Sequence, residues 1–292
     1  MEQGDLVVRK SYGGDVLFRI AAIAGHQAVL RGADYRLLAD SPWSDLRKVK
    51  DPDELGGSRQ ARVHATESIR HMNELRNEQL GVARMSMHPG DRRQEFFELP
   101  GKVLHLDGDG NYLNKSMQVY NQLHVPSEGV HCHESQMAPV LARLLPQINP
   151  DIVVITGHDG LLKNKDDLQH LGSYKNSLNF VQAVKVAREY ERNRDSLIIV
   201  AGACQSHFEA LLQSGANFAS SPGRIMIHAL DPVYAAVRAS FTPFRETINI
   251  ADVISHTISG KHGVGGIETM GKYRVGVPQL KPVNTSKNVN IV

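Results

Sequence analysis

From Phe96 onward the sequence alternates apolar runs of strand length with runs of helical period, and the apolar runs stop on reactive side chains. "KVLHLDGDG" reads as a strand entering a glycine turn, "YLNKSMQVYNQL" as a helix, "EGVHCHE" as a strand and "SQMAPVLARLLPQI" as a helix. "DIVVITGHDG" and "SLIIVAGACQS" are two further strands, separated by the helical "SYKNSLNFVQAVKVAREYERN". "HFEALLQSG" is a helix stopped by Gly215, "NFASSPGRIMIHALDP" holds one or two more strands, and "VYAAVRASF" is a short helix. Apolar strands joined by helices form a parallel sheet covered on both faces. The fold class expected for residues 96–280 is α/β, with a doubly wound, mostly parallel sheet.

The chain ahead of that unit reads differently. Residues 1–50 hold the short strand candidates "DLVVRK", "DVLFRIAAI", "QAVLRG" and "YRLLAD", punctuated by Gly13-Gly14, Gly25-His26 and Gly32-Ala33. A small β domain is expected there, an SH3-like barrel or a curled sheet, which either docks a partner or packs on the main unit. Residues 51–95 are rich in charge and poor in large apolar side chains. Ile69, Met72 and Leu75 fall at helical spacing, with Leu80 and Val82 a weaker continuation. This predicts a charged linker with a hinge, one modest helix and a flexible stretch up to Pro89. Within it, Arg92-Arg93 is either part of a solvated face or a basic site for proteolysis, including by the chain itself. Residues 281–292 read as a loose tail.

Composition removes several functional classes. The 33 basic and 31 acidic residues leave a formal charge of +2, which argues against a protein that coats nucleic acid. Two cysteines make no disulfide framework for a chain of 292 residues, so a reducing compartment is expected. The start, "MEQGDLVVRKSYGGD", is too charged for a secretory signal, and no run reaches the length of a membrane span. A protein intracellular at synthesis is predicted, with neither nucleic acid nor membrane as partner.

Chemistry is expected beyond the carboxyl ends of the parallel strands. His105, Asp107 and Asp109 end the first strand, and His131, Cys132 and His133 the second. His158 and Asp159 end the third, and Cys204, Gln205 and Ser206 the fourth. In the common doubly wound order, 2-1-3-4, the third and fourth strands are neighbours about 5 Å apart, so His158 and Cys204 can meet across one gap. The second strand then lies on the order of 14 Å from the fourth, too far for His131 or His133 to serve Cys204. One of these two histidines lines the crevice edge instead.

Local sequence favours a reactive Cys204. Ser206 and Glu209 have the spacing of a capping box, which would start a helix at Ser206 and set Cys204 just before its N-terminus. Gly202 and Ala203 would let a substrate backbone approach. His207 is read as a partly exposed residue of the first helical turn. Strand alternation sends Cys132 to the face opposite His131 and His133, and no zinc-ligand spacing is present, so neither metal nor cofactor is expected. The acidic end of the first strand would repel phosphate and accept a basic side chain.

An apolar strand ending in His-Gly and another ending in Ala-Cys resemble the caspase–legumain–clostripain–gingipain clan of cysteine peptidases. Here "IIVAGACQS" keeps the second motif, while "VVITGHDG" carries Asp159 between His158 and Gly160. The match to a narrower family is closer. "RKSYGGDVLFRI", "GKVLHLDGD", "GVHCHE", "VITGHD", "AGACQSHFEALLQSGANFASSPGRIMIHALDPVY" and "GGIET" are similar to the YabG family of sporulation proteases. The likeness runs from the N-terminal β region to Gly271 and weakens in residues 51–95.

The resemblance implies a caspase-like sheet in the order 2-1-3-4-5 and a cysteine endopeptidase. It implies processing of spore coat and cortex-related proteins after basic residues, and later association with the spore coat. Cys204 is then the nucleophile and His158 its base, working as a dyad. The oxyanion donors are the Cys204 amide and an amide after His158, from Asp159 or Gly160. Clan relatives place a charge-selecting residue near the end of the first strand, which here means Asp107 or Asp109. These would pair with a substrate arginine, or else only cap a turn. Ser220, Ser221 and Arg224 either line a substrate groove or serve the turn at Pro222, and His133 is a further groove candidate. Two other classes stay open: a thiol hydrolase or acyltransferase using the same pair, and a non-enzymatic coat-docking protein.

Overall fold

The computed structural model describes residues 1–85, 97–162 and 167–276. Its first five strands are β1 (Leu6–Arg9), β2 (Phe18–Ala24), β3 (Gln27–Gly32), β4 (Leu38–Pro42) and β5 (Leu46–Lys48). They pair antiparallel in the order β4-β3-β2-β1-β5. Val7, Phe18, Ile20, Ala28, Leu30 and Leu46 bury one face as a small core of their own, and Met226 from the second half of the chain packs against it. The β3–β4 connection, residues 33–37, projects out of this sheet.

The following segment departs from the expected modest helix in a linker. Helix α1 (Gly56–Met85) is 30 residues long and lies on the main unit. Its contact stripe is made of small residues as well as large ones. Ala61, Ser68 and Met72 are buried, the Ser68 hydroxyl donates to the His256 carbonyl at 2.6 Å, and Tyr234 donates to the Ala65 carbonyl at 3.2 Å. Alanine and serine let the helix approach closely, a contact that a search for large apolar residues underrates. Arg92-Arg93, Pro89 and the tail 281–292 lie outside the described residues.

The main unit continues with β6 (Phe97–Leu99), β7 (Val103–Asp107), α2 (Gly110–Gln122), β8 (Ser127–His131), α3 (Met137–Ile148) and β9 (Ile152–Thr156). Then come α4 (Ser177–Tyr190), β10 (Ile198–Ala201), α5 (Phe208–Ser214), β11 (Phe218–Ser220), α6 (Asp231–Phe241), α7 (Ile250–His256), β12 (Val264–Gly266) and β13 (Arg274–Gly276). One six-stranded sheet runs β12-β11-β10-β9-β7-β8. Strands β11, β10, β9, β7 and β8 are parallel, and β12 closes the β11 edge antiparallel. β6 and β13 form a separate pair.

The pleat sorts the core onto two faces. Val103, Ile152 and Val154 point to the side covered by α1, α2 and α6, while Leu104, Leu106, Val153 and Ile155 point to α3, α4 and α5. Every residue of β7 and β9 is buried, which is why both read as continuous apolar runs. Among the described residues no helix is long and apolar enough to cross a membrane.

Candidate active site

Three strand ends converge at the carboxyl edge of the sheet. β9 lies between β7 and β10, so the loops carrying His158 and Cys204 leave adjacent strands, and the Gly202 amide still donates to the Ile155 carbonyl at 3.0 Å.

Asp107 ends β7 with its carboxylate fully enclosed. It accepts from Arg36 Nη1 at 3.0 Å (Oδ1) and 2.8 Å (Oδ2), from Thr156 Oγ1 at 2.9 Å and from the Asp109 amide at 2.9 Å. Burial works to raise its pKa, but the Arg36 charge, His105 and the Asp109 amide overcome it and hold the carboxyl well below the usual range. Asp109 caps α2 by accepting from the Asn111 amide, and its other oxygen faces Arg31 Nε at 2.7 Å and His158 Nε2 at 3.5 Å. Both acidic groups therefore hold arginines of the N-terminal sheet and its β3–β4 connection, and Asp109 caps a helix as well.

His158 is fixed through its main chain. Its amide donates to Glu134 Oε1 at 2.8 Å and its carbonyl accepts from Asn176 Nδ2 at 2.8 Å. Its ring tilts toward Tyr112, with centroids 5.9 Å apart, and Nδ1 lies 3.9 Å from Glu134 Oε1. Burial lowers the His158 pKa against the pull of the Asp109 and Glu134 charges. Glu134 was not singled out from the sequence. It sits buried between two strand ends, where a Cβ on Gly108 or Gly157 would come within 2.2 or 2.6 Å of its carboxylate.

Cys204 is 2% exposed, and its Sγ accepts from the Ile227 amide at 3.2 Å. Burial pushes the thiol pKa up to about 11, with the Ile227 amide and the Arg36 charge pulling the other way. Among the described residues no hydrogen bond joins Cys204 to His158. The expected helix start at Ser206 is not observed. α5 begins at Phe208, capped by His207 Nδ1 accepting from the Ala210 amide, so His207 is a buried cap and Cys204 stands further from the helix than the capping-box spacing suggested. Gly202 also has another reason to be glycine. Its φ is +111°, and a Cβ would meet Leu211 Cδ1 at 2.9 Å and Ser220 Cβ at 3.1 Å.

Asp159 has a clear local role. Its Oδ1 accepts from the amides of Gly160 (2.9 Å) and Asn176 (2.7 Å), and its Oδ2 from the hydroxyls of Ser177 and Ser206. Ser206 Oγ in turn accepts from the Ala203 amide at 2.9 Å. The Gly160 amide is thus committed to a carboxylate, while the amides of Asp159 and Cys204 have no acceptor among the described residues. Burial raises the Asp159 pKa against these four donors.

The remaining candidates are spread out. His133 is 73% exposed in its side chain and caps a short turn through Ser135, at the outer end of β8. Ser220 and Ser221 are buried. Ser221 accepts from the Gln205 amide and donates to the Ile225 carbonyl, bracing the loop after Cys204 from beneath. Elsewhere, His71, Asp252 and His256 bring ligand atoms within 4.8 Å of one another. The two imidazoles stack in parallel, 3.8 Å apart, so their in-plane lone pairs do not converge on one ion, and Asp252 already binds Arg238.

Residues 2–278 match the family model described as YabG peptidase U57. The chain is also 45% identical over 283 residues to the sporulation-specific protease YabG of Bacillus subtilis (strain 168), covering 94% of this chain and 97% of that one. No solved structure matches. With nearly the whole length matched in both comparisons, the chain belongs to the YabG peptidase family and is a sporulation-associated peptidase.

Proposed function

We infer that the chain is a cysteine endopeptidase that cuts spore coat and cortex-related proteins after arginine. The observation that carries this reading is the position of Cys204 and His158 at the ends of adjacent strands, beside a buried carboxylate that already holds a guanidinium. His158 takes the thiol proton and the Cys204 sulfur attacks the scissile carbonyl carbon. The C–N bond breaks as His158 protonates the leaving amine, and water then hydrolyses the thioester. The amides of Cys204 and Asp159 are the oxyanion donors, since the Gly160 amide is engaged. Asp107 is the arginine-selecting group, and Asp109 faces His158 as well as Arg31. The caspase-like reading rests on this sheet order and on the two strand-end motifs.

The test is incubation of wild type, Cys204→Ala and His158→Ala with candidate coat proteins, with cut sites mapped by mass spectrometry. Cleavage after arginine by wild type alone is expected. Cleavage that persists in Cys204→Ala would overturn the cysteine mechanism.

A further inference from the structure

The β3–β4 connection lies against the segment that touches Cys204. Tyr35 forms an antiparallel bridge with His228, the Arg36 amide donates to the Ile227 carbonyl at 3.3 Å, and the Ala229 amide donates to the Asp34 carbonyl at 2.8 Å. The Ile227 amide on that same stretch points at Cys204 Sγ. The connection thus runs as an added strand beside the residue that touches the candidate nucleophile, the way an extended peptide is held by a sheet edge. From it the Arg36 side chain turns inward to Asp107 and is fully buried, with the Tyr112 ring 5.1 Å from the guanidinium.

The fit is incomplete in an informative way. One nitrogen, Nη1, serves both Asp107 oxygens, while Nε and Nη2 are buried without a hydrogen-bond partner. A carboxylate favours the two-pronged guanidinium fork, and unbonded buried donors are costly. An arginine arriving from a chain free of β3 and β4 could present that fork. The Leu37 amide also folds back onto the Tyr35 carbonyl at 2.8 Å, so the bond after Arg36 is curled into a three-residue turn instead of extended. Clamping is local: Tyr112 donates to the carbonyls of Gly32 (2.8 Å) and Tyr35 (2.7 Å). Beside it, a cavity of about 370 Å³ opens in the seam, lined by Arg19, Arg31, Tyr112 and Lys115 among others.

We propose that Tyr35-Arg36-Leu37 is a built-in substrate mimic that keeps the cleft closed, with Arg36 filling the arginine pocket until the connection lifts away. This rests on the reading of Cys204 as nucleophile and Asp107 as that pocket. Arg36 occupies the pocket without presenting a cleavable bond, and a protein substrate competes with it for Asp107 and for the Ile227–Ala229 edge.

The test follows labelling of Cys204 in the full chain by an arginyl chloromethyl ketone, an alanyl chloromethyl ketone and iodoacetamide, read by mass spectrometry. Arg36→Ala should raise the arginyl rate, normalised to iodoacetamide, by about tenfold or more, as the closed fraction is removed. Tyr112→Phe, which releases the clamp but leaves Arg36, should raise it by a smaller factor. Should Arg36→Ala fail to fold, because Asp107 is left buried and unpaired, Tyr112→Phe carries the test. An unchanged or lower normalised rate in every folded variant, with the arginyl reagent still preferred over the alanyl one, overturns the mimic and leaves the peptidase reading standing. No preference for the arginyl reagent in any variant overturns the pocket and the mimic together.

Discussion

Ser206 Oγ donates to Asp159 Oδ2 at 2.9 Å, and this bond ties the loop that carries Cys204 to the loop that carries His158. Ser206 also accepts the Ala203 amide, so removing its hydroxyl leaves a buried N–H without a partner. Ser206→Ala should cost about 1–3 kcal/mol of stability in urea unfolding. It should lower kcat more than it changes KM, because it loosens the register between the two loops and touches no substrate. A loss of substrate affinity alone would argue against that role.

Glu134 bears on His158 in two separable ways. Its carboxylate accepts the His158 amide and its charge raises the His158 pKa. Glu134→Ala should lower kcat/KM by roughly 10–100-fold and move the acid limb of its pH profile to lower pH. Glu134→Gln restores an acceptor without the charge. Most of the rate should return while the acid limb stays displaced.

The resting thiol should be slow. With the Cys204 pKa pushed up to about 11, iodoacetamide alkylation of Cys204 should keep rising beyond about pH 10, where an unperturbed thiol has levelled off. Peptide-resolved mass spectrometry separates it from Cys132, which burial also raises to about 11. A plateau below pH 8 for Cys204 would contradict the closed, buried thiol.

Asp231 sits wholly buried at the start of α6, where it accepts from the amides of His228, Ile258 and Ser259. Burial raises its pKa from 3.8 to about 6 against those donors. Between these values the folded chain binds more protons than the unfolded one, so this group's contribution to stability falls as pH rises. Asp231→Asn lacks that dependence. The difference in unfolding free energy, wild type minus variant, should shrink from pH 4 to pH 6 by about 2 kcal/mol.

What could be read from the sequence follows from how local each signal is. β7 and β9 are buried along their whole length, so their strand character and their ends at Asp107 and near His158 were legible. The start of α5 was misread because Ser206 and Glu209 have the right spacing while the Ser206 hydroxyl is taken by Asp159 and the Ala203 amide. Arg36 meets Asp107 across 71 positions, and no local period announces such a pair. The one available sign was an arginine inside the apolar "YRLL" run. Glu134 was hidden in the same way, behind the more conspicuous "HCH" that precedes it.

Helix α1 is pinned to the main unit by Ser68 and by Tyr234, so the covalent leash between it and the N-terminal sheet is residues 49–55. An occupant on so short a leash faces its cleft at an effective concentration in the millimolar range, whatever the dilution of the protein. On the proposed mimicry a protein substrate competes with that local supply, so turnover is expected to depend on how tightly a target grips residues outside the arginine pocket. A single exposed arginine would lose that competition, whereas a target that also binds residues outside the pocket would win it.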